Sequence, residues 1–499
     1  MSAPELPLQP SFEEFTALAA LGNVVPVWAE LTADYETPLS AFEKIGGSRP
    51  RFLLESAEMT SQAGRFSFMG AAPRMVISAR GKQMRIAEGD HVREFVTDSD
   101  PLHELEACMQ SFRAVPSPRL PVFSGGAVGF LAYDMVRFFE PTVGEPPPDS
   151  LGLPDMVFLI ADTLVIFDHR FRLLQVVANV VLDDFSDPAA AYAAARVKIA
   201  ALIRKLETPL HVKPMAAATV QVAPPASNTT REEFCEMVRK GKEYIKAGDV
   251  FQFVPSQRFA VPFAGRPIDL YRALRHVNPS PYMFCLEFEE GFSLVGSSPE
   301  VHVRVINGKV EIRPVAGTRW RGKTPAEDDA LADELLHDEK ERAEHLMLVD
   351  LARNDVGRVA EFGSVAVDDL MVLERYSHVM HIVSNVRGRL SQNRNAYDVM
   401  RATFPAGTVS GSPKVRAMQI IHELEKNKRC AYAGAVGYFG FDGSLDSCIT
   451  LRTCVVKDGT AFVQAGAGVV ADSDPLYEYN ETVNKAAAMV RAIERARQL

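Results

Sequence analysis

The run from residue 156 to 184, MVFLIADTLVIFDHRFRLLQVVANVVLDD, most limits what this chain can become. Its two stretches MVFLIADTLVIFD and FRLLQVVANVVLDD are short, apolar and rich in β-branched residues, so they read as strands. An Ala-rich helix follows them, PAAAYAAARVKIAALIRKLE. Further on, NTTREEFCEMVRKGKEYIKAG carries capping residues at its start and apolar positions at Phe234, Val238, Tyr244 and Ile245 before Gly248 stops it, which predicts an amphipathic helix. Strand-like segments return in VFQFVPSQRFAVPF and in FSLVGSSPEVHVRVINGKVEIRPVAG, with a turn expected at Asn307-Gly308. Thr324-Pro325-Ala326-Glu327 has the form of a capping box with proline at the first helical position. The last element, from Asp474-Pro475 onward, reads as a helix. Meanders of strands beside separate helices predict an α+β fold rather than alternating βαβ units. No internal repeat is evident.

Residues 211–230, HVKPMAAATVQVAPPASNTT, are rich in Ala, Pro and Thr and poor in large apolar side chains, and are expected to form a linker or exposed crossing. It divides an N-terminal region (1–210) from a C-terminal domain (231–499). A length of 499 residues with 47% hydrophobic side chains leaves ample material for a large core. The net charge of −10, without Lys/Arg clusters, argues against nucleic acid and anionic membranes and for small-molecule chemistry. Six scattered cysteines form no C-x-x-C pair, a pattern of reduced thiols. The first thirty residues hold three acids before position 15 and no Arg or Lys, unlike a signal or transit peptide, and no run of 18 apolar residues occurs. The expected location is the cytoplasm.

Chemistry is concentrated in two carboxylate pairs. DEKERAEH (338–345) places Glu341 and Glu344 three apart, and EYNE (478–481) repeats that spacing with Glu478 and Glu481. Each pair would share one helix face. A plain structural account exists for both: Asp338 caps a helix with Glu341 at the capping-box position, and Glu481 pairs with Lys485 four residues on. Should the two helices meet, four carboxylates converge. Like charges at ~4 Å repel by about 4 kcal/mol at an effective dielectric near 20, so such a cluster needs a cation or a shared proton. Oxygen-only donors favour a hard ion such as Mg²⁺. Zinc fits less well, because Glu341-Arg-Ala-Glu344-His345 has a glutamate where an H-x-x-E-H site needs its first histidine. The stretch VQAGAGVVAD imitates a dinucleotide fingerprint after a strand, but ADSDP begins a new cap instead of continuing a helix.

Beyond these patterns, an ordered series of blocks resembles the chorismate-utilising enzymes, and among them the large subunits of anthranilate synthases. From about 228 to 490 the blocks are AGDVFQFVPSQRF, NPSPYMF, GSSPE, RPVAGTR, DEKERAEHLMLVDLARND, RYSHVMHIVS, FPAGTVSGSPK, YAGAVGY, DSCITLRT, VQAGAGVVADSDP and EYNETVNKA. LLES (53–56), GRFSFMG (64–70) and GGAVGFLAYD (125–134) extend the match more loosely toward the N-terminus. The resemblance implies large antiparallel β-sheets forming a sandwich with helices packed outside. It implies Mg²⁺ held by Glu341, Glu344, Glu478 and Glu481, with the ion gripping the ring carboxylate of chorismate. Glu341 is expected to protonate the departing hydroxyl, and His381 to assist pyruvate elimination; His378, three residues earlier, has no implied role. Thr408 would contact substrate. Arg452, Tyr432, Lys485 and the Gly466-Ala467-Gly468 backbone would receive the enolpyruvyl carboxylate.

Two positions separate members of this family. Where relatives that use water carry a lysine, this chain has Gln252, and an amide cannot act as a base. Where aminodeoxychorismate synthases carry a nucleophilic lysine, the segment Pro314-Val315-Ala316-Gly317-Thr318 offers the Ala316 methyl. Both imply ammonia as nucleophile and amination at C2, giving anthranilate and pyruvate. Val315 and Trp320 depart from the residues common there. Glu55, Ser56, Pro281, Tyr282 and Met283 resemble a feedback pocket for tryptophan. No cysteine lies in a G-x-C-x-G setting, so the resemblance further implies a separate glutamine amidotransferase subunit in a hetero-oligomer.

Overall fold

A computed structural model describes residues 7–47, 49–57, 64–212, 225–375 and 379–498. Two large antiparallel sheets dominate it. One has eleven strands and the other twelve, and both draw on the chain before and after the 211–230 segment. In the first sheet the crossing point is the pairing of Arg51–Glu55 with Tyr282–Glu287. In the second it is Gly126–Leu131 against Ala435–Gly440.

The expected strands are present as Met156–Ala161, Thr163–Asp168 and Leu173–Val181. Their side chains alternate between two cores. Leu164 and Ile166 join a cluster shared by both sheets, with Phe130, Phe284 and Leu294. Val165 and Phe167 face the other way, toward Tyr192 and Ile199 of the helix Pro188–Leu206. Period-two alternation with both faces buried explains why these runs are apolar throughout. The sheets therefore pack face to face around a common core, and each is covered outside by helices, the sandwich that the sequence implied.

Local signals act as expected at several ends. The helix Arg231–Ala247 starts with a reciprocal Thr230/Glu233 capping box and stops at Gly248 in a left-handed conformation. Asn307 and Gly308 both have positive φ and turn Val301–Ile306 into Lys309–Ile312. At Thr324 the cap differs in detail: its side chain accepts from Glu327 N–H, while the Glu327 carboxylate accepts from Lys323 N–H, one residue before the cap. No helix among the described residues is long and apolar enough to cross a membrane.

Candidate active site

Glu341 and Glu344 lie in the first turns of the helix Glu339–Gly357, capped by Asp338, whose carboxylate accepts from Lys340 and Glu341 N–H. The expected return of the Glu341 carboxylate to the cap does not occur. It turns instead to Arg319, 3.3 Å away. This helix packs in the layer outside the twelve-stranded sheet. Glu478 and Glu481 open the helix Pro475–Ala496, which packs outside the eleven-stranded sheet. The two layers bring the pairs together: Glu344 is pushed up by burial and then by the negative charges of Glu341 and Glu481, against a Gln252 amide that donates at 3.4 Å.

Glu478 is buried, and that burial, with Glu481 beside it, raises its acid to about 7. Its Oε2 has no hydrogen-bond partner. Lys485 pairs with Glu481 at 2.5 Å and also donates to the Gly466 carbonyl at 3.2 Å. Among the described residues, no three His, Cys, Asp or Glu donors are drawn in to ligating distance. A bare buried carboxylate oxygen within an oxygen-only, net-negative group nevertheless fits a hard divalent cation.

A bulge delivers the histidine. Strand Val315–Trp320 pairs with Val379–Arg389, Ala316 opposite Ile382 and Thr318 opposite His381, with the register broken between them. Gly317 sits in the break with φ +63, where a Cβ would lie 2.9 Å from Leu335 and 3.2 Å from Glu341 Oε2. Its carbonyl meets His381 Nδ1 at 2.9 Å, and the Thr318 hydroxyl lies 3.1 Å from the same nitrogen. A carbonyl can only accept, so Nδ1 carries the proton and Nε2 keeps its lone pair. Burial, reinforced by Arg452, lowers the His381 pKa and holds the ring neutral. His378 lies outside the described residues.

Arg452 adopts φ +45, a left-handed conformation that costs a non-glycine residue energy and is tolerated mostly where geometry matters. No described carboxylate reaches it as an ion pair, and burial lowers its pKa against the opposing charge of Glu300. Glu300 itself did not stand out in the sequence, being a lone acid after a Ser-Ser-Pro turn. It keeps a partly accessible edge, yet burial pushes its acid up to about 7 against Thr408, Lys485 and Arg452. The Thr408 hydroxyl lies against this carboxyl but closes no hydrogen bond of normal geometry. Thr408 Oγ1 and Glu478 Oε2 are thus both buried oxygens left without a hydrogen-bond partner.

One N–H of the glycine stretch is already committed within the fold. Ala467 N–H already donates to the Pro255 carbonyl at 3.1 Å, so it is not open to a substrate. Gly466 and Gly468 instead allow close approach, since a Cβ would lie 2.7 Å from the Tyr432 hydroxyl at the first and 2.6 Å from Gln252 Nε2 at the second. Buried Ala316 projects no nucleophile.

The tryptophan-like residues are only partly gathered. Met283 pairs directly with Glu55, and Ala57 N–H donates to the Ser280 carbonyl at 3.1 Å, which brings Ser56 and Pro281 near. Met283 enters the core beneath the helices, whereas its neighbour Tyr282 packs against the inter-sheet core. There the Tyr282 hydroxyl donates to Asp446 at 2.7 Å and accepts from Arg304 at 2.6 Å. Adjacent strand residues point to opposite faces, so these two side chains line different walls.

Comparison with known proteins gives the family and the fold. A family model described as chorismate binding enzyme matches residues 49–491. The anthranilate synthase component 1 of Acetivibrio thermocellus is 45% identical over 495 residues, covering 98% of this chain and 99% of that protein. That of Aquifex aeolicus is 48% identical over 497 residues, 98% of each. Among solved structures, anthranilate synthase component I from Streptococcus pneumoniae superposes with a TM-score of 0.77 at 37% identity, covering 92% of this chain and 99% of that one. The menaquinone-specific isochorismate synthase of Escherichia coli, at 17% identity and a TM-score of 0.69, shares the fold.

Proposed function

This chain belongs to the chorismate-binding enzymes, and from that membership we propose that it is the large subunit of an anthranilate synthase, acting on chorismate in tryptophan biosynthesis. The overall change is chorismate plus ammonia to anthranilate, pyruvate and water. What carries this reading is the meeting of two glutamate pairs, more than a hundred residues apart in sequence, beside the amide of Gln252.

Glu341, Glu344, Glu478 and Glu481 would hold Mg²⁺. When bound, the ion supplies Lewis-acid polarisation and orientation for the ring carboxylate of chorismate. Arg452 offers a two-pronged grip for the enolpyruvyl carboxylate, with the Tyr432 hydroxyl as a further donor. The Gln252 carbonyl oxygen can accept an N–H of ammonia and aim its lone pair at C2 without taking a proton. As the C2–N bond forms, the ring double bonds shift and the C4–O bond breaks. The leaving hydroxyl needs a proton. Glu300 fits that task better than Glu341, because an acid near 7 is half-protonated at neutral pH, whereas Glu341 is engaged by a guanidinium. The neutral Nε2 of His381 then takes the C2 proton, pyruvate leaves and the ring becomes aromatic.

Ammonia from glutamine would come from a separate amidotransferase subunit, and tryptophan would inhibit through Glu55, Ser56 and the 281–283 segment, in a cytoplasmic hetero-oligomer. The relatives' printed name, component 1, supports the existence of a second component. The test is to incubate the purified chain with chorismate, Mg²⁺ and ammonium and follow product by fluorescence and chromatography. Anthranilate is the expected product. Aminodeoxychorismate would move the assignment to C4 amination, and unchanged chorismate would leave a binding protein without turnover.

A further inference from the structure

Behind the substrate-facing residues lies an ion pair that the reaction above does not use. Glu425 ends the helix Lys414–Leu424, and Arg429 follows in the segment leading to Tyr432. Both are buried, Arg429 at 2% exposure and Glu425 at 7%. Arg429 Nε donates to Glu425 Oε2 at 3.0 Å, and Nη2 donates to Glu425 Oε1 and to the Val254 carbonyl, each at 2.5 Å. Nη1 donates to the Val409 carbonyl at 2.8 Å. The guanidinium also lies 4.6 Å from the Tyr133 ring and 5.5 Å from the Tyr432 ring. Glu425 Oε1 accepts in addition from the N–H and the hydroxyl of Ser256, both at 2.8 Å.

Both carbonyl acceptors and one of the two rings stand close to groups of the site. Val254 is two residues past Gln252, Val409 is adjacent to Thr408, and Tyr432 is touched directly. A buried ion pair is a poor way to gain stability, because apolar replacements of similar volume often do as well or better. Its geometry here is specific: one planar cation spans two loop carbonyls, a carboxylate and an aromatic face at once. A lysine ammonium, a compact point charge, cannot reproduce that fork.

We propose that the Arg429–Glu425 pair is a positioning device that fixes the Gln252 and Thr408 segments and the Tyr432 ring relative to one another, and so sets the alignment of ammonia with the bound chorismate. The proposal rests on the chorismate reading of the site. Misplacement of reacting groups by about 1 Å costs on the order of 10²-fold in rate.

Wild type, Arg429→Lys, Glu425→Gln and Ser256→Ala are compared with chorismate, Mg²⁺ and ammonium, each with a melting curve. The expected result for Arg429→Lys and Glu425→Gln is a cooperative melt together with a roughly 10²-fold fall in kcat/KM for chorismate, with part of the loss in kcat. Ser256→Ala removes one strut and should lose several-fold with its melt unchanged. A merely structural pair would lower melting temperatures and leave KM and kcat of the folded enzyme at wild-type values, which overturns the proposal. Should the two charge variants fail to melt cooperatively, Ser256→Ala decides, and wild-type constants there overturn it equally. A wild-type chain without turnover defeats the functional reading first, an outcome distinct from active wild type with unaffected variants.

Discussion

Glu478 is a buried residue and the Glu55 side chain is also largely enclosed, yet their surroundings are opposite. Glu478 has one oxygen without a partner and another carboxylate next to it. Glu55 receives the Tyr271 hydroxyl at 2.6 Å, the Ser67 hydroxyl at 3.5 Å and Arg275 at 3.4 Å. The fold alone satisfies the second carboxylate. The first is left with a desolvation cost that a cation or a proton removes. Removing a carboxylate from the two places should therefore have opposite consequences, with activity lost at one and stability at the other.

The largest effect is expected at the glutamate cluster. Glu481→Ala should lower kcat/KM by 10²–10³-fold or more, roughly 3–4 kcal/mol of transition-state stabilisation, while the melting temperature in chelator holds or rises. Steady-state kinetics and calorimetry check both halves, and full activity would remove Glu481 from the site. Next comes His381→Ala, which should slow elimination by about 10²–10⁴-fold while amination continues, so that an aminated, non-aromatic product accumulates on chromatography. Normal anthranilate output would show that another group takes the C2 proton. At the contrasting site, Glu55→Gln should destabilise by about 1–3 kcal/mol, since donors to a buried charge lose it, with tryptophan inhibition weakened in the same protein. Ser56→Ala should relieve inhibition with little change in melting.

The smallest effect concerns pH and sharpens the comparison most directly. Glu478 holds its proton up to about 7 when folded and releases it near 4.5 when unfolded. Between those values the folded state binds more protons, so this stabilisation is complete below about 4.5 and lost as pH rises through about 7. In chelator, the melting temperature should rise from pH 8 toward 5.5 more in wild type than in Glu478→Gln. Saturating Mg²⁺, which on the proposed function would bind the ionised carboxylates, should flatten that difference. Identical curves for the two proteins in chelator would place Glu478 in an ordinary solvated setting.

Much of this was legible in the chain itself. Thr230 and Asp338 announced helix starts, and the apolar strands at 156–181 were readable because both of their faces are covered. The spacing of each glutamate pair was visible too, but their meeting depends on helices packed against different sheets, which no local pattern encodes. Glu300 escaped notice because its acid is raised by burial, against the opposing pull of Thr408, Lys485 and Arg452, and both the burial and these neighbours, over a hundred positions away, come only with the fold. Arg429 and Glu425 sit in ELEKNKRC, which reads as a solvated charge run, and only the folded chain reveals that they and Lys428 are interior. Tyr282 and Met283 read as one contact patch until the pleat separated them.

The sharing of both sheets by the two halves of the chain has a consequence for biogenesis. The Arg51–Glu55 edge waits about 230 residues for its neighbour (55 to 282), and Gly126–Leu131 waits about 300 (131 to 435). During translation, half-built sheets with open apolar rims must persist, the condition under which nascent proteins stick to one another. Such a polypeptide should depend on chaperone shelter until its last strands emerge, and a prematurely terminated product should be cleared rather than persist as a working fragment.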